Sequence, residues 1–216
     1  MGSSSLFAVV VDEVGGIFAY RLKAGYSHDG KAAMEYTYNG MKAFWPGEDA
    51  ASQSKVTMNS APRPFSVNSK IKDVIADPAF GKFGRLLFPA DTGYYGGDTL
   101  GSLSLTWYGN IKPERTVEIA NYLQRRAAAG ETVFFDIYSD QEKAQDPAKK
   151  DTGLFFFRGN QGARTAIVSA GGGFAFVGAM QDSFPQTLAL SKQGYNAFAL
   201  IYRPGARTAC EDLARS

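Results

Sequence analysis

Histidine and cysteine occur once each in this chain of 216 residues, as His28 and Cys210. A lone cysteine excludes an intrachain disulfide framework. One thiol and one imidazole also exclude a zinc site built from nitrogen and sulfur ligands. No metal and no other cofactor is expected. Long apolar runs are missing too. Near the start, Leu6 to Val11 falls far short of the ~20 residues of a membrane span, and Asp12 and Glu13 break it. It has no basic region ahead of it and does not read as a secretory signal. No membrane partner is expected, and the expected setting is cytoplasmic and reduced. Neither sign of charge prevails: 23 Lys and Arg stand against 21 Asp and Glu, for a net of +2. That balance gives no electrostatic footprint for nucleic acid and no acidic tail. Aromatic residues make up 13% of the chain but are not interleaved with Lys/Arg clusters, which argues against a base-stacking platform. Phosphate loops fail on spacing. Neither Gly30-Lys31 nor Gly81-Lys82 is followed by Ser or Thr, and Phe176 stands where a dinucleotide loop from Gly171 needs its third glycine.

What is present is a globular composition, 44% hydrophobic and 20% charged, enough for a packed core in one ample domain or two small ones. Residues 6–45 read as hairpins. Phe7–Val11 and Ile17–Arg21 flank Gly15-Gly16, and Met34–Tyr38 and Met41–Trp45 flank Asn39-Gly40, the dipeptide best suited to a tight hairpin turn. Glu48 to Ser69 is polar, with Pro62 and Pro64, and reads as a linker or irregular arm. Ser69–Ala76 predicts a short helix capped by Ser69, with Ile71, Val74 and Ile75 inward and Pro78 as its stop. Phe80–Asp98 reads as an aromatic, glycine-rich loop in which Phe88-Pro89 is either ordinary packing or part of a lid. Leu103–Tyr108 looks like an edge strand. A long helix from Pro113 to Gly130 turns Ile119, Tyr122, Leu123 and Ala127 to one side and Arg125 and Arg126 away. Thr132–Tyr138 and Gly153–Arg158 read as two strands joined by a charged, solvated loop. The phenylalanines 155–157 suit a strand buried on both faces.

The chain is organised around Thr165–Phe174, where a short apolar strand, Ala166–Ser169, runs into Gly171-Gly172-Gly173. A helix is predicted over Thr187–Gln193, with Ser183 and Gln186 forming a capping box ahead of it and Gly194 behind it. A second apolar strand, Asn196–Tyr202, follows. Strand, glycine loop, helix and strand make a βαβ unit, and such units bind ligands at the carboxyl ends of their strands. Taken alone, the glycines are also compatible with a purely structural turn.

The block Ala170-Gly-Gly-Gly-Phe174, its helix and the strand ending at Tyr202-Arg203-Pro204 resemble the oxyanion-hole region of α/β-hydrolases. The likeness is to the esterase and lipase branch, which carries a His-Gly-Gly-Gly loop after the third strand. Ala170 stands in the histidine's place. The resemblance spans roughly residue 133 to the end and implies that the N–H groups of Gly172 and Gly173 hold the negative oxygen of a tetrahedral intermediate, with Gly171 and Phe174 flanking them. It implies an α/β fold: a partial hydrolase-type sheet with helices over 69–216, preceded by a hairpin-rich extension and linker over 1–68.

No Gly-x-Ser-x-Gly occurs in the chain, although the resembled family carries its nucleophile on that elbow. Ser27-His28-Asp29 holds the three triad residue types, but consecutive residues cannot form a relay whose members must meet across space. Asp182 is expected to favour the adjacent helix start, Arg203 to form a structural ion pair, and Cys210 to be a helix-face or core thiol. Glu211–Ser216 looks like the opening of the next helix. Two expectations follow. In the first, the chain is the front of a serine carboxylic-ester hydrolase, inactive alone, which meets a small ester substrate only together with its missing part. In the second, it is a non-catalytic hydrolase-like module that acts by self-association or protein binding. A hydrolase sheet cut after its fourth strand would leave an open edge, which predicts oligomers.

Overall fold

The computed structural model describes the backbone of residues 7–11 and 17–21, and residues 62–89, 93–106, 108–109 and 111–216. The Asn39-Gly40 hairpin, the Ser27-His28-Asp29 cluster and most of the polar arm lie outside the described residues.

The main sheet has strands β1 (Phe7–Val11), β2 (Ile17–Arg21), β5 (Phe134–Phe135), β6 (Gly153–Phe157), β7 (Thr165–Ser169) and β8 (Asn196–Ile201), in the order β2-β1-β7-β8-β6-β5. Strands β3 (Tyr95–Gly96) and β4 (Ser104–Leu105) form a separate antiparallel pair. The stretch read as an edge strand over Leu103–Tyr108 therefore pairs locally and stays off the main sheet. The helices are α1 (Ile71–Ile75), α2 (Pro113–Ala128), α3 (Asp140–Gln145), α4 (Ser183–Lys192) and α5 (Ala206–Arg215). The class is α/β, with a mixed sheet.

β7 and β8 pair in parallel, Ala166 opposite Ala197 and Val168 opposite Ala199, with α4 as the crossover between them. The other pairings are antiparallel: β6 with β8, β5 with β6, and β1 with both β2 and β7. An open edge is expected of a sheet cut after its fourth strand, and none lies beside β7. β1 pairs along β7, Phe7 opposite Ser169 and Val10 opposite Ala166, and so satisfies backbone groups that would otherwise face outward. The first hairpin has the predicted strand bounds and belongs to this same sheet.

Period-two alternation sends successive phenylalanines of β6 to opposite faces. Phe155 and Phe157, both 0% exposed, pack on the α4 side. The Phe155 and Phe184 rings are 4.9 Å apart, and Tyr122 of α2 stacks on Phe157 at 5.3 Å. On the other face Phe156 stacks on Phe198 at 4.6 Å. Burying one such ring stabilises the fold by roughly 1.5–3 kcal/mol. In α2 the buried face is Thr116, Ile119, Ala120, Asn121, Leu123 and Gln124. The amide of Asn121 serves as a strand-like partner for the arm. Phe65 N donates to Asn121 Oδ1 at 2.7 Å, and Asn121 Nδ2 donates back to Phe65 O at 3.0 Å.

Three local expectations are corrected. The charged connection between β5 and β6 is not an irregular loop: it holds α3 and a 3-10 turn, Pro147–Asp151. A Ser139/Glu142 capping box starts α3, and Lys143, although charged, is buried against Asp136 at 2.7 Å. The strand read over Thr132–Tyr138 is regular only at Phe134–Phe135. The Ser183/Gln186 capping box does not form, because α4 already begins at Ser183, ahead of the expected Thr187, with Asp182 as its N-cap.

Candidate functional site

The glycine loop leaves the carboxyl end of β7, and its peptide planes are fixed one by one. The plane between Ala170 and Gly171 is held at both ends. Its carbonyl accepts from Tyr202 Oη at 2.7 Å, and its N–H donates to Asp182 Oδ2 at 2.8 Å. The next plane is fixed through Gly171 O, which accepts from Gly178 N at 2.9 Å. The one after is fixed through Gly172 O, which accepts from Ala175 N at 3.0 Å and from Phe176 N at 3.4 Å. In a trans peptide the N–H points away from its own carbonyl. The N–H groups of Gly172 and Gly173 are therefore directed away from these contacts, and neither donates to an acceptor among the described residues.

Only glycine fits this path at residue 172. Its φ is +150°, and a Cβ there would lie 1.9 Å from Phe176 O. Phe174 itself has φ +62°, unusual for a residue with a side chain. The residue is 43% exposed while its carbonyl is tied to Gly205 N at 2.7 Å. Gly171 and Gly172 are buried, and Gly173 is exposed. Successive backbone N–H groups are the elements from which anion-binding loops are built.

Beneath the loop lies a polar shelf. Asp182 Oδ2 also accepts from Tyr108 Oη at 3.1 Å, and Asp182 Oδ1 accepts from Gln186 Nε2 at 2.8 Å. Tyr95 Oη donates to Gln181 Oε1 at 3.1 Å. Burial raises the phenol pKa of Tyr108, Tyr95 and Tyr202, and the Asp182 carboxylate raises Tyr108 and Tyr202 further. All three remain neutral donors near neutral pH. Phe88 is buried, and Val177 N donates to Pro89 O at 3.3 Å, so Phe88-Pro89 is packing that braces the loop from outside.

At the end of β8 the chain turns into α5 over a second buried cluster. Arg203 lies against Asp212, which is 0% exposed. Its Nη2 reaches Asp212 Oδ1 at 2.7 Å, and its backbone N donates to Oδ2 at 2.7 Å. Asp146 and Tyr138 complete the set, at 2.9 Å from Nη1 and 3.3 Å from Nη2. Burial and the hydrogen bond to Asp212 push the Tyr138 phenol up to about 12. Arg203 is thus the structural ion pair expected of it. Cys210 is exposed on α5.

The structure brings Gly171, Gly172, Gly173 and Phe174 into one loop with Asp182, Tyr108 and Tyr202. The two tyrosines were not identifiable as neighbours of the loop, since Tyr108 lies 74 residues from Asp182 and Tyr202 lies 32 from Ala170. The described residues contain no cluster of His, Cys, Asp or Glu able to hold a metal. None of their helices is long and apolar enough to cross a membrane. Comparison with protein-family models, curated proteins and solved structures finds no match.

Proposed function

We propose that this chain is the front portion of a serine carboxylic-ester hydrolase of the α/β-hydrolase class. In this proposal the Gly172 and Gly173 N–H groups stabilise the oxyanion of an acyl-transfer intermediate. One observation carries it: both N–H groups lack an acceptor among the described residues, while the carbonyls of their own peptide planes are held. The sheet supports it as well. An antiparallel pair, β5 and β6, precedes the glycine-loop strand, and a parallel crossover follows it, as the resembled fold requires. The nucleophile, acid and histidine are assigned to sequence beyond Ser216, because no Gly-x-Ser-x-Gly occurs within the chain. The loop's role is to meet negative charge as it develops on the carbonyl oxygen, with donors that need no reorganisation at that moment.

A fluorophosphonate probe tests the proposal. Residues 1–216 alone should not react. A protein continued past Ser216 along its reading frame should be labelled at the serine of a Gly-x-Ser-x-Gly. Stoichiometric labelling of the shorter chain at Ser27, or at any other serine, contradicts the assignment.

The second proposal, a non-catalytic module that self-associates, draws on β2. It ends the sheet, and its outer edge has no strand partner among the described residues. Strand pairing between copies would cover it. A monodisperse monomer in light scattering of residues 1–216 contradicts that proposal.

A further inference from the structure

We infer that Asp182 is a positioning residue for the glycine loop: its carboxylate fixes the Gly171 peptide, the plane from which the Gly172 and Gly173 peptides lead off, and so supports the direction that the bonds to Gly171 O and Gly172 O give their N–H groups. The inference rests on the proposed use of those groups as oxyanion donors. A helix N-cap residue ordinarily turns its side chain onto the first turn of its own helix, and Asp182 makes no such bond. Instead Oδ2 takes the Gly171 N–H at 2.8 Å and Tyr108 Oη at 3.1 Å, while Oδ1 is held by Gln186 Nε2 at 2.8 Å. The residue is anchored from behind as well, because its backbone N donates to Gly178 O at 2.9 Å.

Tyr202 completes the clamp. Its hydroxyl donates to Ala170 O, the other end of the peptide plane that Asp182 holds. A plane gripped at both ends resists rotation, and rotation there would pull on the next two planes, which the bonds to Gly171 O and Gly172 O hold. Room for the second phenol is made by a glycine: a Cβ at Gly178 would lie 2.9 Å from Tyr108 Oη. A charge-assisted bond to a main-chain N–H is stronger than a neutral one, which suits a carboxylate to this task better than an amide.

Residue-resolved amide hydrogen exchange of residues 1–216 tests the inference without substrate or nucleophile, so failure of the esterase proposal leaves the result readable. In Asp182→Ala the Gly171 amide should exchange about 10- to 100-fold faster, the scale of a lost hydrogen bond to a charged group. The Gly172 and Gly173 resonances should move, while amides of β8 and α2 keep their protection. Asp182→Asn, whose side-chain oxygen can still accept from Gly171, should recover part of the protection. Tyr202→Phe, which releases only the carbonyl end, gives a second route if the alanine variant does not fold, and should also speed exchange at Gly171. Unchanged Gly171 exchange in folded variants overturns the inference. So does equal acceleration at Gly171 and across β8, which would mean a general loss of stability.

Discussion

Alanine at Gly172 and alanine at Gly173 should differ in cost, although the two residues are neighbours. At Gly172 the new Cβ would lie 1.9 Å from Phe176 O and 2.7 Å from its carbonyl carbon, on a backbone with φ +150°. The obstacle is main chain, which cannot swing aside as the tip of a side chain can. The loop must open, and the bonds from Ala175 N and Phe176 N to Gly172 O weaken. Strain of this kind costs of order 1–3 kcal/mol, and a lost hydrogen bond adds about 1 kcal/mol, so the expected loss is roughly 2–4 kcal/mol. At Gly173 a Cβ meets nothing within 4 Å and φ is +61°. Only the left-handed penalty remains there, about 1–2 kcal/mol. Urea unfolding of both variants, compared through their midpoints at unchanged slope, reads the difference. Equal losses, or a greater loss at Gly173, would refute the loop geometry.

Three further outcomes are expected. Asp212→Ala removes the fully buried carboxylate from the Arg203 guanidinium, leaving it only the carboxylates of Asp146 and Glu211 at its exposed side, and should cost up to about 3–5 kcal/mol. The paired change Arg203→Met with Asp212→Leu should recover most of it, and a double variant no more stable than the single one in urea would contradict this. Burial opposes ionisation of Asp136, but the hydrogen bonds from Lys143 and Lys82 prevail and hold its carboxyl below the usual range. Its contribution is therefore complete above the unfolded value of about 4 and is lost as pH falls through the lower folded value. The urea midpoint of the parent protein should drop more steeply on acidification below about pH 4 than that of Asp136→Asn. Parallel curves would contradict the assignment. Gly84→Ala would drive a Cβ to 2.1 Å from Ile75 O and should loosen the contact between α1 and the 3-10 turn Gly81–Leu87 that follows it. Tryptic cleavage at Lys72 should then become faster, and an unchanged rate would contradict the contact.

Much of the architecture is written in short-range pattern. Phe155–Phe157 announce a strand buried on both faces, the glycines after Ser169 announce its exit, and Pro113 and the apolar spacing behind it announce α2. α3 was legible too, since Ser139-Asp-Gln-Glu142 is a capping-box signature. It was obscured because the helix is so polar that apolar periodicity is absent. The Ser183/Gln186 box satisfied the same rule and failed. Asp182 took the cap position, and its carboxylate was drawn to Gly171 across the loop. No local rule contains that partner. The same holds for β1, which pairs with a strand over 150 residues away, and for the buried Arg203–Asp212 pair with Tyr138, 74 residues from Asp212. Turn chemistry and hydrophobic period act within a few residues. The loop's supports come from β8, from α4 and from the segment after β4, and only the assembled sheet brings them together.

The most direct test of the account is the structure of the continued protein after reaction with a phosphonate. The phosphonyl oxygen should lie about 2.7–3.1 Å from the backbone nitrogens of both Gly172 and Gly173, with the Asp182 to Gly171 bond intact. An adduct whose oxygen is held by other donors, or no adduct at any serine, would contradict the claim that this loop serves an oxyanion.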